Sequence, residues 1–288
     1  MKAQEVFENI STNPDRVFDY LNNLTIDKID AEVLHDFYQV LKLNVLSFEV
    51  VGKKVFDVCG TGGSGKTRVN LSTALALSLN KEFTIAKHSN RASSGRVGSA
   101  DVLSQMSYKI CHNPIEAIDE IINKNVAFLF APAFHKRLVD FVQIRRKINR
   151  STIFNFIMPI LNPVKNIRAQ MIGVSDLKMM KVMAELAKNI HKNIIFVHDI
   201  DNSLDDVSIT GKTAIIEVFN GNINEYIVHP EDFNIKNVDN FSSISGFDNA
   251  QQNCNLVLEI LNGTALQSYL SFLEINKIVA TEFFNKCL

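Results

Sequence analysis

The sequence of 288 residues contains no tryptophan and only four cysteines, which are Cys59, Cys111, Cys254 and Cys287. They lie far apart, and no two of them form a C-x-x-C pair, so neither a disulfide framework nor a cysteine metal site is indicated. We expect four buried free thiols in a reducing compartment.

Long apolar runs and an excess of charge of one sign are also missing. No apolar run approaches the roughly 18 residues of a membrane span, and the longest candidate, Ile153–Leu161, is interrupted by Asn155 and Pro159. The first ten residues lack the apolar core of a signal peptide. The formal net charge is −1, so no overall field attracts nucleic acid or an anionic membrane. We therefore expect a cytoplasmic protein without nucleic-acid or membrane partners, in which any polyanion is held by a local site.

The hydrophobic patterns divide the chain into two parts. Residues 1–50 carry apolar residues at helical spacing only, whereas later apolar runs of strand length alternate with helical patterns. The runs are Lys54–Cys59, Phe83–Ala86, Ala127–Ala131 and Asn193–His198. This alternation predicts an α/β fold with a mostly parallel sheet flanked by helices. We expect a small helical domain of residues 1–50, joined by the basic helical segment 134–150, and an α/β domain of residues 51–288.

A glycine-rich loop follows the first of these strands. Gly60–Thr67 satisfies the Walker A pattern G-x-x-x-x-G-K-[ST], in which Lys66 would contact nucleotide phosphates and Thr67 a Mg²⁺ ion. Glycines let the backbone approach a ligand closely, and successive N–H groups form an anion cradle. Both properties suit any phosphate loop, so the match alone leaves the type of ligand open.

Three further motifs carry groups that bind phosphates or cations. Asn70–Thr73 opens a helix and places two hydroxyls beside unpaired N–H groups, which suits a phosphate; a simple N-cap would explain only one of them. Lys87–Arg91 follows the second strand with a lysine and further donors, unless it is a solvated basic loop. The adjacent carboxylates of Asp205 and Asp206 suit Mg²⁺, although a solvated turn is the simpler interpretation of that pair alone.

Taken together, the motifs resemble those of the anthranilate phosphoribosyltransferases of tryptophan biosynthesis. That family carries G-T-G-G-D-G, N-x-S-T, K-H-G-N-R and a serine-rich loop ending in G-S-A-D-x-L. The corresponding segments here are Gly60–Gly65, Asn70–Thr73, Lys87–Arg91 and Gly98–Leu103, in the same order. The likeness extends from about Val55 to Val218. The small residues 92–98 suit a loop that closes over a substrate.

The resemblance implies a reaction and a set of site residues. The reaction is transfer of the phosphoribosyl group from 5-phosphoribosyl 1-pyrophosphate to anthranilate, giving N-(5-phosphoribosyl)anthranilate and pyrophosphate. Lys87 and Arg145 would position the substrates. The residues implied for the phosphoribosyl donor are Gly60, Gly63, Ser64, Asn70, Ser72, Thr73, Lys87 and Ser99. Those implied for anthranilate are Gly60, His88, Asn90, His135 and Arg145. The cofactor would be Mg²⁺ held by Ser72, Asp205 and Asp206, and the assembly a homodimer formed through the helical domain.

The sequence departs from the family pattern at several ligand-facing positions. Ser64 stands where the family has Asp, Arg68 where it has Thr, Ser89 and Met158 where it has Gly, and Asp206 where it has Glu. Two other functions are alternatives to the phosphoribosyl transfer. One is a non-catalytic relative that binds a ligand or a polyanion, and the other is a P-loop NTPase, which leaves Asn70–Thr73 and Lys87–Arg91 unexplained.

Overall fold

The computed structural model describes residues 1–91, 97–238 and 240–288. The chain begins with three helices, α1 (Ala3–Asn9), α2 (Pro14–Asn23) and α3 (Ala31–Lys42). Side chains fix two of their starts, since Asn13 accepts a hydrogen bond from the backbone N–H of Arg16 and Asp30 accepts one from that of Val33.

Strands and helices then alternate along the rest of the chain. The strands are β1 (Val55–Gly60), β2 (Thr84–Ser89), β3 (Ile110–Cys111), β4 (Val126–Phe130), β5 (Ile167–Gly173), β6 (Ile194–Asp199), β7 (Thr213–Phe219) and β8 (Asn222–Val228). The helices are α4 (Leu71–Leu79), α5 (Ser99–Gln105), α6 (Pro114–Lys124), α7 (Ala131–Phe134), α8 (Val142–Ile148), α9 (Ile153–Ile157), α10 (Leu177–Asn189), α11 (Ala250–Asn262) and α12 (Gln267–Lys286).

The eight described strands form one sheet in the order β3-β4-β2-β1-β5-β6-β7-β8. All neighbours from β3 to β6 run parallel, while β7 and β8 are antiparallel additions at one side. The prediction of an α/β fold with a mostly parallel sheet is therefore confirmed.

Helices cover both faces of the sheet. On one face, α10 packs with α1–α3 and α8 in a single apolar cluster that also includes Ile172 of β5 and Phe196 of β6. On the other face, α4, α11 and α12 pack against Phe56 of β1 and Val197 of β6. The segment around α8 thus shares a core with the N-terminal helices. The division into two domains at residue 50 stays a prediction.

Two structural details bear on the sequence predictions. None of the described helices is alone long and apolar enough to cross a membrane, although α11 and α12, joined at a 72° bend, together have the length and composition of a broken span. All four cysteines are buried free thiols, as expected.

The second strand is longer than its apolar run predicts. The run ends at Ala86, but β2 continues to Ser89, so Lys87 and His88 belong to a buried strand and not to a loop. Pairing with β4 explains the extension, because Lys87, His88 and Ser89 lie in register with residues 128–130 of that strand. The N–H of His88 also donates to Asp57, and the Lys87 ammonium donates to the carbonyl oxygen of Val58.

Candidate active site

The carboxyl ends of the parallel strands meet at one edge of the sheet. Gly60, the last residue of β1, lies beside Gly173, the last residue of β5. Ser89 of β2 lies beside Phe130 of β4 in the same way. Open α/β sheets bind their ligands at this edge. Lys87 lies near the end of β2, and Asp205 and Asp206 come after the end of β6.

Lys87 is the buried cation of this edge. It is 2% exposed, and its Nζ donates to the Val58 carbonyl oxygen at 2.8 Å and to Ser72 Oγ at 3.0 Å. Ser72 lies in the first turn of α4, whose N-cap residue, Asn70, makes no side-chain capping bond. A desolvated ammonium and an uncapped helix N-terminus therefore lie together, and both attract an anion.

Two further polar groups lie at the start of α4. Asn70 Oδ1 and Thr73 Oγ1 are buried and have no hydrogen-bond partner within residues 1–91, 97–238 and 240–288. A buried polar atom without a partner is costly, so a water molecule or a ligand hydroxyl would be stabilised here. The Asn70–Thr73 motif thus contributes more than a helix cap.

Asp57 lies behind the candidate site, bonded to the residues around Lys87 and His88, and the sequence patterns did not single it out. It lies within β1 and is fully buried. Its carboxylate accepts from Asn162 Nδ2 at 2.9 Å, from Gln170 Nε2 at 3.2 Å and from the N–H of His88 at 3.3 Å. Burial raises the pKa of Asp57, and the neighbouring Lys87 opposes that shift. The only sequence signal was an aspartate inside an otherwise apolar strand.

We expect Asp57→Asn to lower the free energy of unfolding by about 2 kcal/mol, because an amide offers one acceptor oxygen to three donors and turns its own NH₂ towards one of them. Urea unfolding at pH 7 measures the change. The exposed Asp119→Asn serves as the control, with an expected change within about 0.5 kcal/mol. Equal effects in the two variants would remove Asp57 from this role.

The two predicted anthranilate histidines contact each other. The Nε2 atoms of His88 and His135 are 3.0 Å apart, and both rings are buried. Burial lowers the pKa of His135 to about 4. Burial also lowers the pKa of His88, as do the charges of His135 and Lys87, whereas the backbone of Met158 opposes the shift. The pair is therefore neutral at pH 7, with one ring nitrogen donating to the other.

The neutral state of His135 predicts an acid-labile fold. Its pKa is lower in the folded than in the unfolded protein, so the unfolded chain binds more protons below about pH 6.5 and stability falls as pH falls. From pH 7 to pH 5 we expect a loss of about 2 kcal/mol through this residue. Urea unfolding of the wild type and of His135→Gln at both pH values measures it. The same pH difference in both proteins would contradict the assignment.

Asn90 and Ser99 hold the two sides of the predicted closing loop together. Ser99 Oγ lies 3.3 Å from both the N–H and the carbonyl oxygen of Asn90, and the N–H of Ala100 also donates to that carbonyl. Of residues 92–98, for which a closing loop is predicted, residues 92–96 lie outside the described residues.

The glycine loop is held by side chains from later parts of the chain. A Cβ at Gly60 would lie 2.4 Å from Asp205 Oδ2, and one at Gly63, where φ is +85°, would lie 2.5 Å from Ser151 Oγ. Ser64 is half-buried, and its hydroxyl accepts from the N–H of Lys66 at 3.4 Å. Gly60 is thus needed for the close approach of Asp205.

Asp205 and Asp206 face an arginine. The Arg68 Nη1 atom contacts Asp205 Oδ1 and lies 2.8 Å from Asp206 Oδ2. Asp205 Oδ2 accepts a further bond from the Gly62 N–H at 2.9 Å. Burial raises the pKa of Asp206, while Arg68 opposes the shift. Ser72 lines the same narrow cleft as the two aspartates.

These residues do not fit a Mg²⁺ ion in the arrangement observed. Two of the four carboxylate oxygens accept hydrogen bonds from protein donors, Asp206 Oδ2 from Arg68 and Asp205 Oδ2 from Gly62. A third, Asp205 Oδ1, contacts the Arg68 guanidinium as an ion pair. In the described part of the chain, moreover, no three His, Cys, Asp or Glu side chains are grouped as metal ligands. Mg²⁺ requires near-octahedral oxygen ligands at about 2.1 Å, and the Arg68 guanidinium lies where such ligands would converge.

The Walker A match does not form a P-loop. In a P-loop the helix begins at the Gly-Lys-Ser/Thr sequence, whereas α4 begins at Leu71, with three residues between it and Thr67. Lys66 is exposed, and its Nζ donates to the Asn202 carbonyl oxygen at 2.8 Å and lies over the Phe241 ring. The motif therefore does not present Lys66 to a phosphate at the helix terminus.

Arg145 lies in α8 and is half-buried. Its guanidinium lies 5.9 Å from the centre of the Phe154 ring, and its Nη2 atom is 3.4 Å from Asn155 Oδ1. No carboxylate pairs with it within the described ranges. Its hydrogen bond and ring contact in the described part of the chain are with Asn155 and Phe154 and not with His88, His135 or Lys87, so its place in an acceptor site stays a prediction.

Comparison with known proteins decides the family. Residues 52–282 match the family model for the a/b domain of a glycosyl transferase family. Anthranilate phosphoribosyltransferase of Pelagibacter ubique is 33% identical over 262 residues, which cover 91% of this chain and 78% of that protein. This chain belongs to the anthranilate phosphoribosyltransferase family.

Other family members agree with this assignment. The enzyme of Dictyoglomus thermophilum is 38% identical over 226 residues, which cover 78% of this chain and 66% of that protein, just under two thirds of its length. Crystal structures add the fold. The anthranilate phosphoribosyltransferase of Thermus thermophilus superposes with a TM-score of 0.84 at 24% identity, covering 96% of this chain and 84% of that one. The Saccharomyces cerevisiae protein, in complex with phosphoribosyl pyrophosphate and Mg, superposes with a TM-score of 0.86 at 19% identity. The match covers 98% of this chain and 82% of that one.

Proposed function

We propose that this protein transfers the 5-phosphoribosyl group from 5-phosphoribosyl 1-pyrophosphate to the amino group of anthranilate, releasing pyrophosphate. The observation that carries the proposal is the Lys87–Ser72 contact at the uncapped start of α4. It creates an anion site at the carboxyl edge of the sheet, where an α/β fold binds phosphorylated ligands. Membership of the family supplies the identity of the two substrates.

The chemistry that these residues can supply is positioning and charge neutralisation. Displacement at the anomeric carbon has a good leaving group, so the site needs to hold the donor and stabilise developing charge, not to provide a strong base. Lys87, Ser72 and the N–H groups of α4 would hold phosphate oxygens. The donor-binding roles of Gly60, Gly63, Ser64, Asn70, Thr73 and Ser99 belong to this proposal.

For the acceptor, the proposal assigns the neutral His88–His135 pair and Arg145. The Nε2 atoms of the two rings bond each other, so a hydrogen bond to the uncharged amine would have to come from a remaining Nδ1 atom. An arginine without a carboxylate partner suits the carboxylate of anthranilate. The acceptor-binding roles of Gly60 and Asn90 are part of the same proposal.

Mg²⁺ enters the proposal as the ion that accompanies the donor. Pyrophosphate oxygens are hard ligands for Mg²⁺, and a solved structure of a related protein from yeast is in complex with phosphoribosyl pyrophosphate and Mg. Ser72, Asp205 and Asp206 as metal ligands stay a prediction, and the ion pairs of Arg68 do not favour it.

A homodimer through the helical segments is proposed as the assembly. Its support is a group of exposed apolar side chains in and beside those segments, namely Leu43, Leu46, Val139 and Val142. Light scattering should give about twice the chain mass of 32.4 kDa. The chain mass itself would contradict this assembly.

The donor site can be tested by thermal unfolding with added ligands. Phosphoribosyl pyrophosphate with Mg²⁺ should raise the melting temperature, because a ligand that binds only the folded state stabilises it. ATP with Mg²⁺ should not. Stabilisation by ATP alone, lost in Lys66→Ala, would favour the P-loop NTPase and contradict the proposal.

A further inference from the structure

Arg68 lies in the cleft where the proposed function would place a metal ion. Its guanidinium contacts one carboxylate oxygen of each of Asp205 and Asp206. The side chain of Arg68 is 21% exposed, and those of the aspartates are 4% and 12% exposed. At such depth solvent screens the three charges weakly, so the ion pairs are stronger than surface pairs.

The backbone of Arg68 is fixed in place. It forms an isolated antiparallel bridge with Ser245. A Cβ on Gly246 would lie 2.2 Å from the carbonyl carbon and oxygen of Arg68, so the two backbones are in close contact. The guanidinium therefore extends to the aspartates from a backbone segment that packs against Ser245 and Gly246.

The aspartates are fixed as well. Asp205 Oδ2 accepts a hydrogen bond from the N–H of Gly62. The Asp205 backbone packs directly on Gly173, because a Cβ at position 173 would lie 1.8 Å from the Asp205 carbonyl oxygen. Neither partner of the ion pair is a freely rotating surface side chain. Removing Arg68 would leave two adjacent buried carboxylates without a cation, which is strongly unfavourable.

We infer that Arg68 is the built-in counter-ion of Asp205 and Asp206, and that these carboxylates do not bind Mg²⁺ in the substrate-free protein. A divalent ion there would have to displace the guanidinium or lie beside it as a second cation. The threonine that the family pattern has at position 68 carries no charge. The inference rests on the proposed function and adds to it, because it makes Arg68, and not a metal ion, the cation that neutralises Asp205 and Asp206 in the substrate-free protein.

Metal titration of the substrate-free protein tests the inference. Mn²⁺, followed by electron paramagnetic resonance, is the probe, and Mg²⁺ competition confirms the site. Wild-type protein should show no saturable site up to about 1 mM, whereas Arg68→Thr should gain one site with a dissociation constant at least about tenfold lower. Adding Asp205→Asn to Arg68→Thr should abolish that site. Arg68→Lys, which keeps a cation, is the matched control and should gain none.

Thermal unfolding gives a second readout that does not depend on activity. Mg²⁺ should raise the melting temperature of Arg68→Thr and leave that of the wild type unchanged. Should the threonine variant fail to fold without metal, its refolding in Mg²⁺ alone would equally support the inference.

Two results would overturn the inference. One is a saturable Mn²⁺ site in the wild type that Asp205→Asn removes, which decides the matter even if no variant of Arg68 folds. The other is a folded Arg68→Thr variant that gains no site. Neither result depends on turnover, so they leave the transferase activity to its own test.

Discussion

Replacing Lys87 by methionine is expected to lower kcat/KM for phosphoribosyl pyrophosphate by about 10³-fold or more, equivalent to about 4 kcal/mol. Methionine keeps the length of the side chain but removes the ammonium that bonds Ser72 Oγ and the Val58 carbonyl. The anion site then retains the helix N-terminus without its buried cation. Calorimetric titration of the donor, together with initial rates, measures the loss.

Lys66→Met is the matched control for this prediction. Lys66 is the lysine of the Walker A pattern, but it is exposed and bonded to the Asn202 carbonyl. Its replacement should change donor affinity by less than about threefold, in the range of an exposed charge. A large loss in Lys66→Met with little effect in Lys87→Met would reverse the assignment of the phosphate site. Urea unfolding of both variants separates loss of binding from loss of fold.

Replacing Arg145 by alanine is expected to raise the KM for anthranilate by about 30-fold to several thousandfold, since breaking a partly buried charge pair costs about 2–5 kcal/mol. Donor affinity should stay nearly unchanged. The reason is that the half-buried guanidinium has no carboxylate partner among the described residues, and the acceptor would bring one. Separate titrations of donor and acceptor measure the two affinities.

The neighbouring Arg146 offers a control of the same chemistry. It is exposed on the same helix, so Arg146→Ala should alter either affinity by less than about threefold. If both affinities fall together in Arg145→Ala, the residue supports the fold. If neither falls, the acceptor lies elsewhere, and the surroundings of Met158 are the next place to examine.

The sequence predicted the sheet well where apolar runs end in polar motifs. Cys59, Ala86 and Val197 lie in or beside strands whose ends meet at one edge, as the alternation of strands and helices required. The antiparallel β7–β8 hairpin was not predicted. Its outer strand, Asn222–Val228, is largely exposed and lacks an apolar run. The turn does carry a signal, since Asn220 and Gly221 both have positive φ, as an Asn-Gly hairpin turn requires.

The sequence indicated segments of the candidate site but not the contacts between them, because local motifs identify loops and not the partners of their side chains. The sequence shows Ser72 and Lys87 in separate motifs, and only the fold brings their side chains to 3.0 Å. Arg68 was visible only as a departure from a family pattern. Its partners Asp205 and Asp206 lie more than 130 positions away, so no spacing rule could connect them. Asp57 was hidden for a different reason, because burial and hydrogen bonding are properties of the packed sheet.

The most direct test of the central claim is turnover of anthranilate by the purified protein. With phosphoribosyl pyrophosphate and Mg²⁺ present, the fluorescence of anthranilate should decrease with time, in proportion to enzyme concentration and with one pyrophosphate released per anthranilate lost. Omission of the donor should stop the decrease, and Lys87→Met should slow it about 10³-fold or more. Unchanged anthranilate fluorescence at saturating donor, in a protein that binds that donor, would contradict the account and favour a non-catalytic relative.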